Sequence, residues 1–148
     1  MAKPNVIFLC TGNSARSQMG EALLRHHAGD QFEVFSAGIE PKGLNPYTIR
    51  AMDEIGIDIR GQRSKGSKEY MGRMFFRYLI TVCSDADEAC PQALWAQSGK
   101  KLYWPFDDPA KASGTDEEIM ANFRAIRDQI DHKVLAWLEA LAAEKVGA

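Results

Sequence analysis

Val6, Ile7, Phe8 and Leu9 form an unbroken apolar run of β-branched and aromatic residues, with no alternating polar positions. A strand of that kind is buried on both faces, and such strands belong to parallel sheets covered by helices. After a short Gly/Asn/Ser turn, residues 16–27 read as a helix closed by Gly29 at a C′ position. Residues 32–36 read as a second strand. Asn45-Pro46 gives a cap with proline at N1, opening a helix that Gly56 ends. Residues 68–76 read as a short helix with Met71, Met74 and Phe75 inward, followed by strands at 78–83 and 102–106. Thr115 and Glu118 make a T-x-x-E capping box. The long helix it starts has a stripe of Ile119, Phe123, Ile126, Ile130, Val134, Trp137 and Leu141 at the 3.6-residue period. Strands alternating with helices predict a three-layer α/β fold around a four-stranded parallel sheet.

The 148 residues fit one domain, residues 1–148, and a 45% apolar content supplies its core. With 18 Lys+Arg against 20 Asp+Glu, the net charge of −2 leaves no electrostatic footprint for nucleic acid or an anionic membrane. The apolar run at 6–10 is shorter than the roughly 7–15 residues of a signal h-region. No run approaches the roughly 20 residues of a transmembrane helix. A soluble, cytoplasmic monomer is expected. Three cysteines are too few, and odd in number, for a disulfide scaffold, so a reducing compartment is the default.

In parallel sheets of this kind ligands bind beyond the carboxyl ends of the strands, where Cys10 and Cys83 fall. Cys10-Thr11-Gly12-Asn13-Ser14-Ala15-Arg16-Ser17 reads C-x5-R-S between a strand and a helix. Successive backbone N–H groups in such a turn form an anion nest, and the helix N-terminus adds partial positive charge. Gly12 permits the tight turn and Asn13 tolerates a left-handed conformation. Arg16 offers a planar fork for two oxygens of a tetrahedral oxyanion. Every neighbour favours the thiolate of Cys10, and Ser17 is placed to donate a hydrogen bond to it.

These residues resemble the phosphate loop of the low-molecular-weight protein tyrosine phosphatase fold. More closely, they resemble the thioredoxin-coupled arsenate reductases built on that fold. The segment from Cys83 to Cys90-Pro91 resembles the C-x6-C-P redox loop of those reductases, which ordinary phosphatases of the fold lack. The resemblance implies reduction of arsenate to arsenite for arsenic detoxification. Cys10 would form a thiol-arsenate, Cys83 would attack Cys10, and Cys90 would carry the disulfide outward to thioredoxin. Ser84 and its neighbours up to Ala89 would supply the mobile stretch between the two outer thiols. The D-P step at Asp108-Pro109 resembles the family's general-acid loop, and the small Ala110 after it favours an inorganic oxyanion. Arsenate, with phosphate or sulfate as mimics, is the expected ligand; thioredoxin is the external reductant, with no bound cofactor or metal. The alternative is a low-molecular-weight protein tyrosine phosphatase using Cys10, Arg16 and Asp108, and weak phosphatase activity is expected in either case. A third reading, a non-catalytic oxyanion or redox sensor, leaves the full set of nucleophile, arginine, acid and relay thiols unexplained. Histidines 26, 27 and 132 lack zinc-site spacing.

Two departures from the family pattern stand out. An additional loop cysteine of some relatives is Ala15 here. Relatives that bind potassium use residues matching Asn13, Glu21, Ser36 and an aspartate, and the aspartate position is Lys65. The lysine is either solvated ahead of a helix start or places its ammonium where the ion would lie, near Glu21 and Asn13.

Overall fold

The computed structural model describes residues 3–83, 90 and 92–147. The N-terminal apolar run becomes β1 (Asn5–Cys10), in which residues 6–10 are all buried. It pairs in parallel with β2 (Glu33–Gly38) on one side and β3 (Phe76–Thr81) on the other. Beyond β3 lies the parallel edge strand β4 (Ser98–Tyr103), giving the order β2-β1-β3-β4. The chain leaves β1 for β2 and then returns to β3 on β1's other flank. That reversal opens a crevice at the carboxyl end of β1, beside Cys10.

Helix α1 (Arg16–Ala28) packs on β1 and β2. Its Gly20 lies so close to the sheet that a Cβ there would meet the Phe8 ring at 2.6 Å. Helix α2 (Pro46–Asp53) starts as its sequence implies, with Asn45 Oδ1 accepting from Tyr47 N at 2.8 Å and Pro46 following the cap. Both helices pack against the long C-terminal helix, Asp116–Gly147, whose first turn is capped by Thr115 Oγ1 accepting from Glu118 N. That helix follows a short one at Gln92–Ala96, designated α3, and is therefore α4. Trp137 of α4 wedges between Phe32, Tyr78 and Trp104, with ring centroids 4.9–5.7 Å away. At the α2–α4 junction Glu54 accepts from Arg124 and Arg127. Chiefly through the hydrogen bond from Arg124, its carboxyl is held down at about 2.

Several expected boundaries shift. The helix expected at 68–76 is a single 3-10 turn, Ser67–Glu69, followed by turns. Gly72 takes φ +73°, and the Gln97 side chain accepts from Gly72 N while donating to the carbonyls of Tyr70 and Met74. A distant amide thus satisfies the backbone that a helix would have satisfied internally. Met71 and Met74 pack on the core, whereas Phe75 is 58% exposed instead of facing inward. Strand β3 therefore begins at Phe76, not 78, and β2 runs to Gly38. Strand β4 begins at Ser98, four residues before the expected start, because its Gly-Lys-Lys segment lies on an exposed sheet edge and carries no apolar signal. Gly29 keeps a right-handed φ of −63°. A side chain is excluded there by the Arg25 carbonyl, 2.5 Å from a Cβ, not by a left-handed turn.

Candidate active site

The loop from Cys10 to Arg16 turns its carbonyls outward, and each finds a donor in the surrounding chain. Cys10 O accepts from Ile39 N, Thr11 O from Glu40 N, Gly12 O from Lys42 N and Ser14 O from Asn45 N, at 2.8–3.2 Å. Asn13 O accepts from the Gln18 side chain at 3.1 Å. With the carbonyls anchored outside, the N–H groups of Gly12, Ser14, Ala15 and Arg16 have no protein acceptors among the described residues. Position Ala15, which caps α1, has no side-chain oxygen, and the first turn of the helix has no acidic residue. Unpaired N–H groups at a helix start are chemically suited to an anion.

Behind the loop, Asn13 sits fully buried at φ +47°, the left-handed conformation its sequence position suggested. Its Nδ2 donates to Ser17 Oγ at 2.8 Å and to Ser36 Oγ at 3.0 Å. Because Ser17 Oγ accepts from Asn13, its own proton is directed at Cys10 Sγ, 2.8 Å away. The Asn13 N–H also points at that sulfur, at 3.1 Å. Two donors thus converge on one sulfur. Ser36 in turn donates to Glu21, and Lys65 Nζ lies 3.4 Å from Glu21 Oε1, 3.2 Å from Ser36 Oγ and 3.1 Å from Arg63 O. Burial pushes the Lys65 amine down from its ordinary value, while the Glu21 carboxylate pulls it back up. The ammonium lies among the oxygens that a potassium ion would use, so the residues present do not fit that ion.

In front of the loop is a cavity of about 710 Å³ lined by Cys10, Thr11, Gly12, Ser14, Ala15, Arg16, Cys83 and Asp108, with Lys42 and Lys111 at its mouth. Arg16 donates to Phe106 O at 2.9 Å and approaches Asp108 at 3.7 Å, tying the loop after β4 to the Cys10–Arg16 loop. Asp108 is itself fixed by accepting from Ala110 N at 3.0 Å. Cys83, two residues past β3, enters the same cavity with its sulfur 3.5 Å from Thr11 Oγ1. Asn13 and Ser17 lie behind the cavity as supports. Cys90 is half-buried against the core and does not line it. The connecting residues 84–89, expected to be mobile, lie outside the described residues. Cys10 and Cys83 are free thiols. The lysines at the mouth were not apparent in the sequence, since each comes from a loop remote from the C-x5-R-S motif. Gln18 had a faint signal, a polar residue on the inward side of α1 directly after the motif.

Residues 5–146 match the family of low molecular weight phosphotyrosine protein phosphatases. The arsenate reductase of Halalkalibacterium halodurans is 44% identical over 140 residues, which cover 94% of this chain and 98% of that protein. A solved arsenate reductase in its phosphate-binding state superposes with a TM-score of 0.77 at 27% identity, covering 93% of this chain and 98% of the other. The thioredoxin-dependent arsenate reductase of Corynebacterium glutamicum superposes with a TM-score of 0.67 at 26% identity, over 96% of this chain and 63% of that one.

Proposed function

The chain belongs to the low molecular weight phosphotyrosine protein phosphatase family, and on that footing we propose that its Cys10 cavity reduces arsenate to arsenite. The observation that carries this reading is the second thiol: Cys83 lines the same cavity as Cys10 and Arg16. Hydrolysis of a phosphoester through a cysteine intermediate needs one thiol and an acid; it has no use for another sulfur there.

In the proposed sequence, arsenate sits in the nest on the loop N–H groups and the Arg16 fork. The Cys10 thiolate attacks arsenic, forming an S–As bond, and Asp108 protonates the departing hydroxide, which leaves as water. The Cys83 thiolate then attacks Cys10 Sγ. The S–As bond breaks with its electron pair passing to arsenic, which leaves as arsenite, and a Cys10–Cys83 disulfide remains. Cys90 attacks Cys83, freeing Cys10, and the resulting Cys83–Cys90 disulfide is reduced by the dithiol of thioredoxin, which is itself oxidised. Reliance on free thiols suits a reducing cytosol. Cys10, Arg16 and Asp108 together also suffice for slow phosphoester hydrolysis.

The test is NADPH consumption on adding arsenate to the protein with thioredoxin and thioredoxin reductase, beside hydrolysis of p-nitrophenyl phosphate. Cys10→Ser should abolish both activities. Cys83→Ser and Cys90→Ser should each stop arsenate turnover and leave phosphoester hydrolysis measurable. Arsenate turnover by both single variants at the wild-type rate would overturn the relay.

A further inference from the structure

The mouth of the cavity carries two cations that the reaction sequence does not use. Lys42 comes from the loop between β2 and α2, and Lys111 from the 3-10 turn Pro109–Lys111 that follows Asp108. The seat of Lys42 is built into the anion loop: its N–H donates to Gly12 O at 2.9 Å. Ser64 Oγ bridges the same carbonyl, at 3.2 Å, to Gly43 N, at 3.1 Å. The Lys42 stem lies over Gly12, its Cδ 3.4 Å from where a Cβ would stand. In the other loop, Lys111 N is tied to Asp108 O at 3.2 Å. Both side chains are exposed, and neither ammonium has an ion-pair or hydrogen-bond partner among the described residues. Of the two carboxylates that line the cavity, Asp108 is engaged by Arg16 and Ala110 N, and the exposed Asp107 makes no ion pair with either lysine.

Two ammonium groups without ion-pair partners, lining the cavity beside the Arg16 guanidinium, concentrate anions there, more strongly for two charges than for one. We propose that Lys42 and Lys111 form a cationic lip that captures tetrahedral dianions, selects them over monoanions, and delivers them to Arg16 and the nest. That the captured dianion is arsenate rests on the functional reading above; the capture itself does not.

The experiment is calorimetric binding of sulfate, a tetrahedral dianion, and perchlorate, a tetrahedral monoanion, to the reduced full-length protein. Lys42→Gln and Lys111→Gln should each weaken sulfate about three- to tenfold through loss of one partly screened charge, and perchlorate by about the square root of that factor. The double variant should multiply the two effects and flatten the salt dependence of sulfate binding. Lys42→Arg should restore wild-type affinity. In arsenate turnover the same substitutions should raise KM and leave kcat within about twofold, because neither lysine touches the reacting atoms in this scheme. Sulfate affinity in the double variant within twofold of wild type, or equal weakening of sulfate and perchlorate, would overturn the lip. Sulfate binding weakened by these substitutions, in a protein whose wild type reduces no arsenate, would uphold the lip and overturn the functional reading.

Discussion

Asn13 holds a backbone conformation that most side chains avoid, and four side-chain hydrogen bonds hold it there. Its Oδ1 accepts from Lys65 N and Gln18 Nε2, and its Nδ2 donates to Ser17 and Ser36. The consequence falls on Ser17, whose hydroxyl proton has nowhere to point but the Cys10 sulfur. Ser17→Ala removes one charge-assisted hydrogen bond of about 1.5–3 kcal/mol, so alkylation of Cys10 by iodoacetamide at neutral pH should slow at least about tenfold. Circular dichroism should be unchanged. Alkylation at the wild-type rate would leave the Asn13 N–H as the sulfur's sufficient donor. At this scale much of the site was legible, because cysteine, arginine and serine stand within one loop and each residue type has a restricted chemistry. Lys42 was not, because nothing along the chain says that its stem will lie over Gly12.

Strand β2 ends against the anion loop, and Gly38 marks the contact. A Cβ at Gly38 would stand 2.7 Å from Thr11 O and 2.8 Å from Asn13 N, two backbone atoms that cannot swing aside. Gly38→Ala should destabilise the protein by about 1–3 kcal/mol through overpacking. Since the loop must shift to admit the methyl, phosphate affinity measured by calorimetry should fall more than tenfold in protein that remains folded. Unaltered phosphate binding would mean that β2 can retreat without carrying the loop. The elements that were legible are those their own residues mark: β1 by its unbroken apolar run, α2 by its Asn45-Pro46 cap, and α4 by its capping box and apolar stripe. The turns at residues 70–75 were illegible for the opposite reason, since their backbone is satisfied by Gln97 from beyond β3. The polar start of β4 was lost to its exposed edge.

Across the whole molecule, the Lys65 ammonium binds α1 through Glu21 and β2 through Ser36, and its backbone N–H donates to Asn13 Oδ1 in the anion loop, so a single residue holds three segments around one point. With the cation supplied by the chain, thermal stability and phosphate affinity should be the same in sodium and potassium salts at matched ionic strength. Lys65→Asp should make both depend on potassium. A potassium-specific gain in the wild type would show that the ammonium can be displaced. The uncapped start of α1 has a separate consequence. Ala15 brings no oxygen to the first-turn N–H groups, so the helix is completed only by a visitor. The bound oxyanion is then the missing cap, and the protein is most stable when occupied, by about 2.7 kcal/mol at a hundredfold excess over Kd. Its melting temperature becomes a gauge of how full the nest is, readable without turnover, label or thiol chemistry.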